Sequence, residues 1–554
     1  MEKKHVEILQ IVALVVIYAF LAFYNLGNRE SPQTTWEFGD AVIVDFGTEV
    51  FVSQFQFMQG ARREIDFMLF GSLDGDDWHY SAHISNVEVF SWGEQTVNTL
   101  IRFAQIMPFS EGLRLQEVAF RDGNGTLLQP LHILTEGAEV LFDEQNLVPR
   151  MASFMNSTYF DEIYHARTGY EFLHGLRVFE TTHPPMGKNF IAMGISAFGM
   201  TPFGWRFAGT LAGVLMIPLM YLFGKTMFES HFWGMFAAVV FAFDFMPFVQ
   251  TRIATIDSYV TLFIIASYLC MFIYTKQVLG SSLVKPLLWL LGSGLFIGLA
   301  IASKWQGIYA LIGLPFIFFI SWFALYKQNR RNAWITFGWC FAFFIAIPLT
   351  VYLLSYIPFV YASESDGGFL SMVWANQVHM FTYHAGLEEG HPFASNWWEW
   401  PLLIRPIFYY TTTLSLGSAP FAEVRQGISS FGSPAVWWTG IVALFYAVFS
   451  LKKANFREPT IIFLLIAYAA QFVPWIFVSR ATFIYHYFPS LPFVVLLIAF
   501  MFRDYFAEKS RVPIIYAGAV VSLFMLFRPV LAGVPVTIGF VETFLRWLPA
   551  WLLV

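Results

Sequence analysis

The chain has 554 residues, of which 57% are hydrophobic and only 13% charged, and its formal net charge is −6. This balance excludes a soluble globular protein and leaves no basic surface for nucleic acid, so the chain reads as a polytopic α-helical membrane protein. Its two cysteines, Cys270 and Cys340, both fall in apolar runs, which excludes a disulfide framework. Taken in order, Met1-Glu2-Lys3-Lys4-His5 precedes an apolar run from Ile8 to Phe23. No small-residue cleavage site follows it, so residues 1–27 read as an uncleaved signal anchor.

Residues 28–150 have a different character. Ala41-Val42-Ile43-Val44-Asp45-Phe46-Gly47 and Val50 to Phe57 alternate as two strands, and Thr99 to Phe103 and Leu113 to Phe120 follow suit. Leu73-Asp74-Gly75-Asp76 reads as a turn before it reads as a calcium loop. Over residues 34–137 these segments resemble the discoidin-like (galactose-binding) β-sandwich. That resemblance implies a module that binds glycan or protein and so captures or orients acceptor protein or surface glycan, with a purely structural role the equal alternative.

The segment Phe160-Asp161-Glu162-Ile163-Tyr164-His165-Ala166-Arg167 gathers charge just before the long apolar region, and Thr182-His183-Pro184-Pro185-Met186-Gly187-Lys188 does the same. Between them Ile163, Ala166, Tyr170, Phe172, Leu173 and Leu176 recur at helical spacing, with Glu162, His165, Arg167 and Glu171 on other faces. The pattern predicts an amphipathic helix lying on the membrane surface and stopped by Pro184-Pro185. Apolar spans are then expected at 204–225, 232–250, 257–275, 286–303, 306–326, 334–357, 435–451, 459–479, 484–502 and 513–532, each near the ~20 residues that cross a bilayer. With the first span this makes about eleven. The shorter piece Asn189–Met200 is expected to be interfacial or re-entrant.

Basic clusters set the orientation. Lys225, Lys276, Lys285, Lys327, Arg330, Arg331, Lys452, Lys453, Arg457, Arg503, Lys509 and Arg511 all fall on one side if the N-terminus is cytoplasmic. Arg206, Arg252, Lys304 and Arg480 stand alone on the other. The outer face then receives the β insert, Asp161, Glu162, His183, Lys188, Arg252, Asp257, the long loop 358–433, and Arg480 through Tyr485-His486-Tyr487. Ionisable groups at span ends are costly and mark function. The plainer readings are an interfacial anchor for Arg252 and an aromatic belt for Trp397, Trp398 and Trp400. His379, His384 and His391 fit no standard zinc spacing, so no metal site is assigned.

Phe160-Asp161-Glu162, Thr182 to Lys188, Phe243-Asp244 through Arg252 and Asp257, His391-Pro392 with Ser395, Trp398 and Trp400-Pro401, and Tyr485-His486-Tyr487 resemble the protein O-mannosyltransferases. These are polyprenyl-phosphate-mannose-dependent glycosyltransferases of the GT-C superfamily. The resemblance runs from about Asn146 to Val554 and is of the prokaryotic type, since the loop 362–433 is too short for the MIR domain of eukaryotic members. It implies a GT-C fold with an extracytoplasmic β-sandwich insert after the first span, divided as 1–27, 28–150, 151–200 (catalytic juxtamembrane helices), 201–357, 358–433 and 434–554. It further implies an inverting enzyme of the plasma membrane, active on the extracytoplasmic side, that moves mannose from the polyprenyl-phosphate donor to Ser/Thr hydroxyls of secreted proteins. Asp161 is the implied base, with Glu162 orienting it or the acceptor backbone. Arg252 is the first candidate for the donor phosphate, with Lys188, Arg480 and His486 behind it, and His183, Asp257, His384, His391 and Tyr485 complete the candidate site. No cofactor is assigned, and a divalent cation stays open. A GT-C enzyme acting on a lipid or glycan acceptor is the alternative within the class. A lipid-linked-sugar flippase is the alternative outside it, but no internal repeat supports a transporter.

Overall fold

The computed structural model describes residues 2–61, 65–86, 88–109, 112–280, 282–363, 367–387, 390–414 and 423–554. Contacts divide the chain into two units. One comprises Asn25–Tyr170 with Ala192–Trp205, and the other Met1–Tyr24, Glu171–Ile191 and Arg206–Val554.

The first unit is built on β1 (Trp36–Glu37), β2 (Val42–Gln59), β3 (Ile65–Ser72), β4 (His79–Asn86), β5 (Ser91–Pro108), β6 (Arg114–Arg121), β7 (Leu127–Leu128) and β8 (His132–Ile133). Pairing is antiparallel in the order β1-β6-β2-β5-β3-β4, with β7 on β6 and β8 on β2. The two strands expected at 41–47 and 50–57 are one strand, β2. Gly47 (φ 77°) does not end it, because the Asp45 carboxylate accepts the Gly47 N–H at 2.7 Å and the ladder resumes after a register shift between Asp45 and Val50. β2 also bends. Phe67 on β3 lies opposite Pro108 on β5, and β5 pairs with the start of β2, so a flat sheet would hold Phe55 ~40 Å or more away. Yet the Phe55 and Phe67 rings are 6.2 Å apart, so the sheet folds over and buries one aromatic core between its halves. The turn expected at Leu73–Asp76 is present. Asp74 Oδ1 accepts the backbone N–H groups of Asp76 (2.9 Å) and Asp77 (3.0 Å), an Asx turn.

In the second unit, among the described residues, ten helices are long and apolar enough to cross a membrane, from Lys4–Phe23 to Val512–Ala532, and up to eleven if one bent pair counts as a span. That pair is His231–Ala242 and Phe245–Thr251, bent by 58°, where an unbroken span was expected at 232–250. Asp244 breaks it: its carboxylate caps the second piece through Met246 N–H at 3.0 Å and also accepts the Ser433 N–H at 3.0 Å. The loop expected after residue 358 holds a helix, Phe369–Ala385, and a hairpin of β9 (Ile407–Leu414) and β10 (Val424–Ser430), extended by β11 (Val536–Thr537).

Two shorter helices lie in the chain between the first span and the next, Glu162–His174 and Met186–Phe198. The second, at 13 residues, is about 20 Å long and too short to span. The first corrects the expected amphipathicity. Its polar stripe, Glu162, His165, Thr168 and Glu171, is buried together with Ala166 and Phe172 of the apolar set, while Leu173 is exposed, as is Leu176 just beyond the helix. Gly175, in the left-handed region at φ 61°, ends the helix well before Pro184-Pro185, which instead precede the start of the next.

Candidate active site

Asp161 and Glu162 belong to the first unit. The backbone reaches them through Phe160 at φ 50°, and the Asp161 carbonyl accepts the first helical N–H groups, Tyr164 and His165, both at 3.1 Å. Asp161 is half-buried, whereas Glu162 is fully buried. Glu162 Oε2 accepts from Trp205 Nε1 (3.1 Å) and Tyr159 N–H (3.3 Å), so its carboxylate is held by fixed donors. Glu162 is thus a fixed carboxylate beside the more accessible one of Asp161.

The other candidates lie in the second unit. The stretch Glu180–His183 is pinned at four successive carbonyls. Lys188 Nζ donates to those of Glu180 (3.0 Å) and His183 (2.9 Å), Asn376 Nδ2 to that of Thr181 (2.8 Å), and His384 Nε2 to that of Thr182 (2.9 Å). Lys188 also pairs with the Glu180 carboxylate at 2.5 Å and is wholly buried. All of its donors are spent on this stretch, so it shapes the segment and presents no charge to a ligand.

The segment faces a cavity of about 240 Å³, lined among others by His183, His384, Lys304, Gln306 and Arg480, with Trp305, Tyr309 and Trp475 as aromatic wall. Lys304 was passed over in the sequence as an isolated cation. It sits in an extended break between the helix ending at Ser303 and the 3₁₀ turn Trp305–Tyr309. Its ammonium is 2.7 Å from Asp257 Oδ1 at the start of the helix Asp257–Gln277 and 5.5 Å from the Tyr485 ring centre. Arg480 makes no hydrogen bond or ion pair among the described residues, which leaves its fork available to an anion. The segment carrying it is tied to the long loop by reciprocal bonds, Ser395 N–H to Thr482 O (2.8 Å) and Thr482 Oγ1 to Ser395 O (2.7 Å).

Both cavity histidines are neutral at pH 7. Burial holds His183 below its ordinary value. Burial first, then His183 and Arg480 alongside, push His384 down to about 4. Their rings meet edge to face at 5.3 Å. The cavity therefore presents two cations, Lys304 and Arg480, without further positive charge from imidazole.

The remaining candidates are placed elsewhere. Arg252, the first choice for the donor phosphate, does not line this cavity. Its Nη1 donates to the carbonyls of Leu21 (3.0 Å), Ala22 (2.8 Å) and Tyr24 (2.9 Å), and its guanidinium stacks on Phe248. It therefore satisfies the exposed carbonyls at the end of the first helix. His486 is buried beneath Trp475 and Trp400, with ring centres 4.4 and 6.0 Å away, and reaches the cavity only through its carbonyl, which accepts from Gln306 Nε2 at 2.9 Å. His391 is exposed and packs on Phe483. Trp398 is exposed as a belt residue would be, but Trp400 is core. Among the described residues the only group of side chains spaced to hold a metal is Glu117, Asp143 and Glu144 in the β unit, and it includes none of the histidines considered for zinc.

Two family models match the chain. One, "Dolichyl-phosphate-mannose-protein mannosyltransferase", covers residues 196–360. The other, "C-terminal four TMM region of protein-O-mannosyltransferase", covers residues 369–551. The chain is similar to the polyprenol-phosphate-mannose–protein mannosyltransferase of Mycobacterium tuberculosis (strain CDC 1551 / Oshkosh), at 27% identity over 76% of this chain and 88% of the relative. The enzyme of that description from Corynebacterium glutamicum is 25% identical over 75% of this chain and 89% of its own length. Among solved structures, the Saccharomyces cerevisiae Pmt1-Pmt2 protein O-mannosyltransferase complex bound to the sugar donor superposes with a TM-score of 0.63, covering 71% of this chain and 89% of that one. At 14% identity this likeness shows a shared fold.

Proposed function

The chain belongs to the protein O-mannosyltransferase family, and on that premise we propose that it transfers mannose from a polyprenyl-phosphate-mannose donor to Ser/Thr hydroxyls of secreted or surface proteins at the extracytoplasmic face of the cell membrane. The observation that carries the reading is the cavity with Lys304 and Arg480 set among neutral histidines and aromatic walls. At about 240 Å³ it is below the ~300–1,000 Å³ of sites for drug-sized molecules, so it suits a head group while the polyprenyl chain stays in the bilayer.

In the reaction the acceptor oxygen attacks C1 of the mannosyl group from the face opposite the phosphate. The C1–O bond to phosphate breaks, its electron pair leaves with polyprenyl phosphate, and the hydroxyl proton passes to a carboxylate. The family resemblance gives that role to Asp161, with Glu162 orienting it. A phosphate is a good leaving group and needs no strong acid, but it gains charge as it departs, and preorganised cations stabilise that charge. Lys304, fixed by Asp257, and Arg480 supply it.

The test is to incubate the purified chain with polyprenyl-phosphate-mannose and a Ser/Thr peptide and weigh the peptide. A gain of one hexose is expected, with Lys304→Ala and Arg480→Ala each sharply slower. Transfer to a lipid or free glycan with the peptide left unmodified would overturn the acceptor class.

A further inference from the structure

Three polar atoms that line or belong to residues lining the cavity are buried and have no partner among the described residues: Gln306 Oε1, His384 Nδ1 and Trp475 Nε1. Their chemistry is fixed by the bonds their side chains already make. Gln306 spends its amide nitrogen on the His486 carbonyl at 2.9 Å, which leaves its oxygen as a bare acceptor. His384 donates from Nε2 to the Thr182 carbonyl at 2.9 Å, and a neutral imidazole with its proton on Nε2 carries only a lone pair on Nδ1. Trp475 Nε1 can only donate. Burying such groups unpaired is costly, so a ligand that pairs them recovers that cost.

Phosphate cannot be that ligand for the two acceptors. An ionised phosphodiester has no proton to give, and its oxygens would face lone pairs. A hydroxyl can donate to Gln306 Oε1 or His384 Nδ1 and can also accept from Trp475 Nε1. A ligand rich in hydroxyls with an apolar ring face also suits the aromatic wall of Trp305, Tyr309 and Trp475.

We propose that Gln306 and His384, with Trp475, form the hydroxyl-reading half of the cavity and hold the hexose of the lipid-linked donor beside the two cations that take its phosphate. The assignment rests on the donor reading above and adds to it the residues that distinguish a sugar-bearing lipid phosphate from a bare one.

The experiment compares equilibrium binding of polyprenyl-phosphate-mannose and of sugar-free polyprenyl phosphate to the full-length chain in lipid nanodiscs. Gln306→Leu and His384→Phe each remove one acceptor and are expected to weaken binding of the mannosylated lipid by about five- to tenfold, the scale of one buried hydrogen bond, with the sugar-free lipid unchanged. His384→Asn separates recognition from scaffolding: its Oδ1 sits close to where Nδ1 was, while the bond to Thr182 is lost. It is expected to bind the mannosylated lipid close to wild type. If His384→Asn is as impaired as His384→Phe, or if Gln306→Leu and His384→Phe weaken both lipids alike, these residues are scaffold and the inference fails. Unchanged binding of both lipids in Lys304→Ala and Arg480→Ala would instead unseat the phosphate from this cavity, and the sugar site with it.

Discussion

Burial decides the charge of His384, and the sign of its effect follows. Its ordinary value is ~6.5 and it titrates near 4 in the folded chain. Between those values the unfolded chain binds a proton that the folded chain does not, so stability falls as pH falls through that window. His183, also held down by burial, acts in the same direction. The thermal midpoint of the wild-type chain should therefore drop from pH 6.5 towards 4, and His384→Asn should show a shallower drop; equal slopes would place the titration elsewhere. A second outcome concerns Asp161. Asp161→Asn preserves size and removes the carboxylate proposed as base, so transfer should slow by ~10² or more while donor affinity holds, as single-turnover and binding measurements would show. Normal turnover would move the base to another carboxylate. Charges at span ends were legible from sequence because their cost in lipid makes them conspicuous. Their pairings were not. Lys304 gains its meaning from Asp257, across a span, and Arg252 from three carbonyls more than two hundred residues earlier.

Elements were legible wherever length and hydropathy define them, which is why the expected spans recur with shifted ends. The failures are local and have physical causes. Asp244 breaks a span because a carboxylate can cap a new helix inside an apolar run, and composition alone does not reveal that capping. The helix Glu162–His174 buries its polar stripe as well as Ala166 and Phe172 because its polar groups find partners within the fold, as with Glu171, which accepts the Phe179 N–H at 2.9 Å. Packing between spans was legible in one place only after the fold was known. Gly294 and Gly298 stand four apart on the helix Val284–Ser303, facing the long helix Arg330–Ala362 where it passes through a π turn at Ala342–Ala346. A Cβ on Gly294 would lie 2.0 Å from the Phe343 carbonyl oxygen, and one on Gly298 2.8 Å from Pro348 Cα. Backbone cannot yield there as a flexible side chain could, so the pair works as a small-xxx-small contact. Gly294→Leu should force the two helices apart and lower the thermal midpoint by several degrees. Gly338→Leu on the facing helix, where nothing lies within 4 Å, should not. Equal effects would mean that the close approach contributes little.

At the scale of the whole molecule the open matter is why a membrane-embedded transferase carries a β insert. The expectation from sequence was a module for acceptor capture, removable without harm to transfer onto a short peptide, with a structural role as the alternative. The contacts inside the first unit argue for a second duty. The stretch Val89–Trp92, leading into β5, holds the turn that delivers Asp161. Thr158 N–H donates to Phe90 O at 3.1 Å, Thr158 Oγ1 donates to Val89 O at 2.5 Å, and Trp92 N–H donates to Ser157 Oγ at 3.0 Å. The Phe90 and Tyr170 rings, 5.1 Å apart, extend the contact along the helix that follows. Ser157 and Thr158 are buried, so these bonds have no water to replace them. A carboxylate displaced by even ~1 Å from its working position loses much of its effect as a base. Replacing Ser31–Ile133 with a flexible linker should therefore abolish transfer to a short Ser/Thr peptide as well as to a folded acceptor, with membrane insertion intact. Thr158→Val, which keeps shape and deletes one bond, should lower kcat and leave the KM for donor near wild type. The contrary pattern is equally definite. If the excised enzyme modifies the short peptide at the wild-type rate and only the folded acceptor suffers, tethering near the site explains the insert and the buttress does not.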